Sequence, residues 1–159
     1  MKRHYIVLLL CLLSASALTA QSPLKTEYGK PSEMKGITKI FVDTDGDMEE
    51  RQRMVAEFEK ARIPRLDLLD SSDGAEVILY FAGGKVAYNR GYVNNGVGAM
   101  GTDYRSSGRG MAFIPKPLNN SIRILLSVES VKDYVWTAKP STKFAREFIK
   151  AYKEANSLK

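Results

Sequence analysis

The chain has 159 residues, a formal net charge of +6, one histidine and one cysteine. His4 and Cys11 both lie in a segment with the pattern of a removable export signal, so the exported protein has neither side chain. Their loss excludes disulfides, thiol nucleophiles, imidazole bases and the common zinc sites, and we expect no cofactor.

The export signal is predicted to occupy residues 1–20. Lys2 and Arg3 begin it, an apolar run follows from Tyr5 to Leu13, and Ala20 precedes the expected cleavage point, with Ala17 as the alternative. The apolar run is much shorter than the ~20 residues that a bilayer span requires, and no later run approaches that length. We therefore expect a secreted or periplasmic protein without a membrane span.

Two further parts are predicted after the signal. Residues Gln21 to Gly36 contain prolines and glycines without an apolar period, which is typical of a flexible leader. Residues 37–159 are long enough to form a single domain with its own core. Residues 37–82 carry a net charge of −5 and residues 83–159 one of +8, which predicts a basic face.

A strand, a helix and two more strands are predicted in the first half of the domain. Ile37 to Val42 forms the first strand, and Asp47 caps a helix with Glu50 completing a capping box. Pro64 ends that helix. Residues 66–69 form a short strand, and the wholly apolar run 77–82 predicts a central strand.

The segment from Gly83 to Gly110 holds 8 of the 12 glycines and has no long apolar run. We predict a long glycine-rich connection that is the most mobile part of the domain and binds a partner. Tyrosine and arginine are common interface anchors, and glycine lets a backbone adapt to a ligand. The predicted partner-binding residues are Tyr88, Arg90, Tyr92, Tyr104, Arg105 and Arg109.

The C-terminal part predicts a hairpin and a closing helix. Met111 to Ile114 begins a strand, and apolar residues recur with period two from Ile122 to Val128. Tyr134 to Thr137 supplies the partner strand, with Trp136 in or near the core. The final helix starts at Pro140 and has one apolar face.

These elements predict an α+β fold, with a single mixed β-sheet, two amphipathic helices packed on it and the long glycine-rich connection. The predicted core comprises Ile40, Val42, Phe58, Val77, Leu79, Phe81, Ile124, Leu126, Phe144 and Phe148.

The acidic turn at Ile40–Gly46 resembles the first motif of the haloacid dehalogenase superfamily. That resemblance implies Asp43 as a nucleophile, Asp45 as an acid/base and a magnesium-dependent phosphatase activity. Asp47 stands where that family has threonine or valine. The alternating acids also suit calcium only in part, because the glycine and distal glutamate spacing of an EF-hand is missing. The alternative is a turn whose acids complement the positive end of a helix.

The order of elements is similar to the periplasmic domains of the amino-terminal half of the Tol translocation protein and of the curli-secretion lipoprotein group. The segments Leu66–Asp70, Ala75–Leu79 and Val135–Thr137 resemble strands of those domains. The chain also looks like small uncharacterised secreted bacterial proteins that end in a phenylalanine-rich helix. The resemblance implies a domain that binds partners in the bacterial envelope.

The leading hypothesis is therefore a non-enzymatic exported domain that binds an envelope or extracellular protein, or an anionic polymer, through the glycine-rich segment and a basic face. The magnesium-dependent phosphatase is the alternative. Nucleic acid is not an expected partner, because the sequence contains no motif that reads bases.

Overall fold

The computed structural model of the chain describes residues 24–94, 97–116, 119–131 and 138–158, with the backbone alone for residues 85–94 and 97–104. The predicted export signal and the predicted strand Tyr134–Thr137 with Trp136 lie outside these residues. The described part forms one mixed six-stranded sheet in the order β1-β6-β5-β4-β2-β3. Its strands are β1 (Lys25–Tyr28), β2 (Lys39–Asp43), β3 (Asp67–Leu69), β4 (Val77–Asn94), β5 (Val97–Lys116) and β6 (Ser121–Val131).

The strand pairings explain why the sheet is mixed. Strand β2 runs parallel to both β3 and β4, and β1 runs parallel to β6. Strands β4, β5 and β6 follow one another along the chain and pair antiparallel. Together with the two helices, this sheet confirms the α+β class.

Two α-helices and a short 3-10 helix complete the fold: α1 (Met48–Ala61), α2 (Pro140–Ala155) and the 3-10 helix Pro31–Met34. Helix α1 begins as predicted, because Asp47 accepts hydrogen bonds from the backbone N–H groups of Glu49 and Glu50 at 3.1 and 3.0 Å. The predicted capping box is only half present, since the Glu50 side chain accepts from the Ser141 hydroxyl of α2 instead. That hydrogen bond joins the starts of the two helices.

The core lies between the helices and one face of the sheet. Nine of the ten predicted core residues are buried, and Leu126 is half-buried. Eight of the nine belong to this core, whereas Ile124 is buried outside it. A β-bulge changes the period of β6, because Ala112 pairs with Leu126 while the next residue of β5, Phe113, pairs with Ile124. The extra residue, Leu125, joins the core with 3% exposure.

The segment predicted as a flexible leader is part of the domain from Lys25 onward. Strand β1 adds an edge to the sheet, and the side chain of Met34 is fully buried in the core. Arg123 of β6 holds the 3-10 helix through an ion pair with Glu33, with 2.6 Å between Nε and Oε2. The prediction of a flexible leader is therefore wrong. A single buried methionine and a strand held by its pairing with β6 produce no periodic pattern of apolar residues, so the sequence did not indicate them.

The predicted glycine-rich connection Gly83–Gly110 is also wrong as a loop. Strands β4 and β5 pair continuously from Ile78 and Phe113 to Asn94 and Val97, without a shift in register. Backbone hydrogen bonds between two strands do not depend on apolar side chains, so the sequence lacked the alternation that indicates a strand.

Candidate partner-binding site

The pairing of β4 with β5 extends well beyond the rest of the sheet. Strand β2 pairs with β4 only as far as Tyr80, and β6 pairs with β5 only from Ser107 onward. Ten cross-strand pairs, from Lys85 with Ser106 to Asn94 with Val97, therefore lie past both neighbours. We name residues 85–106 the ribbon. At ~3.3 Å per residue, ten residues in each strand give it a length of about 30 Å.

Two glycines fix the base of the ribbon to the core. A Cβ atom on Gly108 would approach the Phe81 ring to less than 3.0 Å, and one on Gly110 would do the same with the Phe144 ring. Both phenylalanines are buried, and their rings stack with centroids 6.4 Å apart. Glycine is therefore needed at these two positions to let the aromatic rings of the core lie flat on β5.

The register locates the predicted binding residues along the ribbon. Tyr88, Arg90 and Tyr92 occupy alternate positions of β4, opposite Asp103, Gly101 and Ala99. Alternate residues of a strand belong to the same face.

Tyr104, the third of the predicted binding tyrosines, belongs to the opposite alternate series from Tyr88 and Tyr92. Tyr104 is paired with Ala87, whereas Arg105 is paired with Val86, and Val86 belongs to the same alternate series as Tyr88. The backbone thus places Arg105 in one series with Tyr88, Arg90 and Tyr92, and Tyr104 in the other.

Arg109 lies where the ribbon joins the sheet. It is directly opposite Glu129 of β6, and its guanidinium donates to that carboxylate in an ion pair. Both side chains are exposed, at 63% and 61%. An ion pair this exposed contributes little to folding, so Arg109 remains accessible to a partner at little cost in stability.

A shallow groove of about 350 Å³ runs beside this ion pair. Part of its wall is backbone, because Gly83, Gly84 and Gly108 contribute no side chain. Val131 gives it one apolar edge, with 39% of the residue exposed. The groove therefore offers an apolar contact and a charged rim at the base of the ribbon.

The basic face predicted from the sequence is reduced by ion pairs between the two halves of the chain. Arg146 of α2 donates to Glu57 of α1 with 2.7 Å between Nε and Oε2, and Lys116 of β5 pairs with Glu27 of β1 at 2.9 Å. The hydrogen bond from Arg146, supported by Lys60, lowers the pKa of Glu57 to about 2. Positive charge from the C-terminal half is thus partly neutralised by acids of the N-terminal half.

The acidic turn after β2 is organised by local hydrogen bonds. The Asp43 carboxylate accepts a hydrogen bond from the backbone N–H of Asp45 at 3.2 Å, and the Tyr80 hydroxyl donates one to the Asp45 carboxylate at 2.9 Å. This hydrogen bond to Asp45 raises the pKa of Tyr80. Asp47 is engaged in capping α1. Among the residues that the structure describes, no group of three histidine, cysteine or acidic side chains is placed to hold a metal ion.

The chain matches no protein-family model and no curated protein sequence. Among solved structures it is similar to a minor lipoprotein from Acinetobacter baumannii, over 75% of this chain and 93% of that chain, with 8% sequence identity and a TM-score of 0.34. A likeness of this size assigns neither a fold nor a function. Neither α-helix of the described part has the length and hydropathy of a membrane span.

Proposed function

We propose that this chain is an exported, non-enzymatic domain that binds a protein of the bacterial envelope or the extracellular medium through its ribbon. The export signal pattern and the sequence resemblance to periplasmic binding domains support the location. The observation that carries the proposal is the extension of β4 and β5 beyond both neighbouring strands.

The ribbon offers two strand edges to a partner. No strand within the described residues pairs with the outer edge of β4 after Tyr80, or with that of β5 before Ser107. An uncovered edge presents a row of backbone N–H and C=O groups that an extended segment of another protein can pair with. Main-chain pairing of this kind gives affinity, while side chains such as Arg105 contribute selectivity.

The ribbon also lacks several of the features with which proteins protect strand edges. Natural edge strands use proline, lysine, bulges or shortness to prevent pairing with another chain. Residues 85–106 contain no proline and a single lysine, Lys85, and the ladder between β4 and β5 has no bulge. An edge that is long, regular and free of proline and bulges favours a function in which it receives a strand.

Energetics support the same conclusion. A two-stranded hairpin outside a larger sheet is marginally stable in water, and glycines within it weaken it further. The ribbon contains Gly91, Gly98 and Gly101. A third strand supplied by a partner would therefore stabilise the ribbon at the same time as the complex forms.

The direct test compares capture of envelope proteins by the natural domain and by a variant without the ribbon. Gly84 and Ser107 are cross-strand partners an even number of positions back from Asn94 and Val97, so they form the same type of pair. Residues 85–106 can therefore be replaced by Asn-Gly, which closes a two-residue hairpin. The core side chains and Gly108 are untouched, so the variant is expected to unfold at nearly the same temperature. Capture of a discrete envelope protein should be lost.

Two outcomes would contradict this proposal. Equal capture by the variant would place binding elsewhere on the domain. Capture of anionic polymer that depends on salt but not on the ribbon would favour the electrostatic alternative. The matched control is Lys143→Ala, which removes one exposed positive charge of α2 and should leave capture unchanged.

A further inference from the structure

A row of apolar residues crosses the sheet on the face opposite the helices. Directly opposed residues of neighbouring strands lie on the same face, so the strand register defines the row. It contains one residue of every strand, in spatial order Leu69, Phe41, Ile78, Phe113, Ile124 and Tyr28. Tyr28 is exposed, Ile124 is buried and the other four are half-buried. None of the six belongs to the core cluster that packs against the helices. We name the side of the sheet that carries this row the open face.

Three of the four large hydrophobic residues that are exposed in the described part border the open face. Tyr28 ends the row and is 79% exposed. Leu24, 55% exposed, lines a cavity of about 420 Å³ together with Ile78 and Ile122. Val131, already noted at the base of the ribbon, is the third. Such a concentration of apolar surface on one face is typical of an interaction site.

The charges around the row alternate in sign. Lys39 lies opposite Asp67 in the register, and Arg109 is paired with Glu129. An anionic polymer would gain little from Lys39 and Arg109, because both cations already have acidic neighbours. An occupant that is apolar and locally neutral fits the open face better.

The dimensions of the face match a second sheet. Six strands at about 4.8 Å spacing make it ~24 Å wide. Over about 20 Å along the strands this gives a flat area of ~500 Å², below the ~800 Å² per partner of a standard complex and in the range of a weak one that dissociates on dilution. A second copy of the chain offers the same width, the same twist and the same balance of charge.

We propose that two copies of this chain pack open face to open face, as the two sheets of a β-sandwich do, and form a two-fold dimer. Sheets packed in this way lie about 10 Å apart with their strands within ~30° of each other. The ribbon is not needed for this contact, so the inference is independent of the proposed binding function.

Sedimentation of residues 21–159 over a range of concentrations tests the proposal. We expect a dimer that dissociates on dilution. Leu24→Asp and Tyr28→Asp should each raise the dissociation constant at least about ten-fold, since each buries a charge in the apolar contact. Met48→Asp is the matched control, because Met48 is 57% exposed at the start of α1, and it should leave the constant unchanged.

Cross-linking locates the contact without relying on a disruptive variant. The exported chain lacks cysteine, so Ile78→Cys introduces a single thiol near the middle of the row. A short bismaleimide should link two copies through this thiol, and not through Met48→Cys. The variant without the ribbon should still dimerise.

Three results would overturn the proposal. The first is that the protein stays monomeric at all concentrations, whether or not it binds lipid vesicles. The second is a dimer that Leu24→Asp and Tyr28→Asp leave intact. The third is a dimer that disappears with the ribbon, which would show pairing through strand edges.

Discussion

Replacing Gly110 by alanine tests how the base of the ribbon is fixed to the core. The added Cβ would lie closer than 3.0 Å to three atoms of the Phe144 ring. That ring is fully buried and stacked on Phe81, so it cannot move away without displacing a second aromatic side chain. Overpacking of this kind costs about 1 to 3 kcal/mol, and we expect Gly110→Ala to lie at the upper end of that range.

Gly84→Ala provides the control in the neighbouring strand. Its Cβ would meet only the Ser107 hydroxyl at 3.7 Å, an ordinary contact. Neither glycine has a left-handed backbone conformation, so backbone strain does not distinguish the two variants. Gly84→Ala should change the free energy of unfolding by less than ~0.5 kcal/mol, or stabilise the domain slightly.

Urea unfolding of residues 21–159 measures both variants. A shift of the midpoint without a change of slope reports stability itself. The double variant Gly110→Ala/Phe144→Leu replaces the ring by a smaller side chain. Its loss of unfolding free energy should be less than the sum for the two single variants, because the two side chains compete for the same space. The packing argument would be refuted if Gly110→Ala were no more destabilising than Gly84→Ala.

Three further predictions concern acid stability, the N-terminal segment and the ribbon. The pKa of Glu57 is lowered to about 2, so its contribution to stability is present above its unfolded value of 4.5 and is lost as the pH falls through 2. In acid titrations the unfolding free energy of Glu57→Gln should therefore fall less than that of the natural domain or of the control Glu147→Gln. Identical curves for all three proteins would contradict this. Met34→Ala should cost about 2 to 5 kcal/mol in urea unfolding because the side chain is fully buried, whereas a flexible leader would give no change. Hydrogen exchange should show alternating protection along 85–94 and 97–106, because the amides that point to the other strand of the ribbon are hydrogen-bonded and those that point to its outer edges are not. Uniformly fast exchange would support the loop predicted from the sequence.

The sequence predicted those parts of the fold whose apolar residues follow a clear period. The face of α2 that carries Phe144 and Phe148 repeats at helical spacing, and both residues are fully buried. The Asp47 cap followed from residue type and position alone. In each case the local pattern and the tertiary packing favour the same structure.

The parts that sequence reasoning missed depend on contacts between distant segments. Strand β1 exists through its pairing with β6, about a hundred residues later, and Leu125 enters the core through a bulge that no local pattern indicates. Glycine content predicted a loop at 83–110, whereas Gly108 and Gly110 are required beneath aromatic rings. The one available signal was the absence of proline throughout 81–114, which is compatible with long strands.

The open face was missed for a related reason. The wholly apolar run 77–82 predicts a central strand, and Val77 and Leu79 are fully buried on the helix side. Ile78 lies on the other side, where only the register across six strands reveals the row. Sequence periodicity finds one strand at a time, and a surface made of one residue from each strand requires the topology.

Photo-cross-linking in the native envelope tests the proposed binding role of the ribbon most directly. A photoreactive amino acid at Tyr92, near the end of the ribbon, is compared with one at Glu147, on the exposed side of α2. We predict a discrete cross-linked envelope protein from position 92 and none from position 147. The same adducts from both positions, or none from position 92, would contradict a partner-binding ribbon.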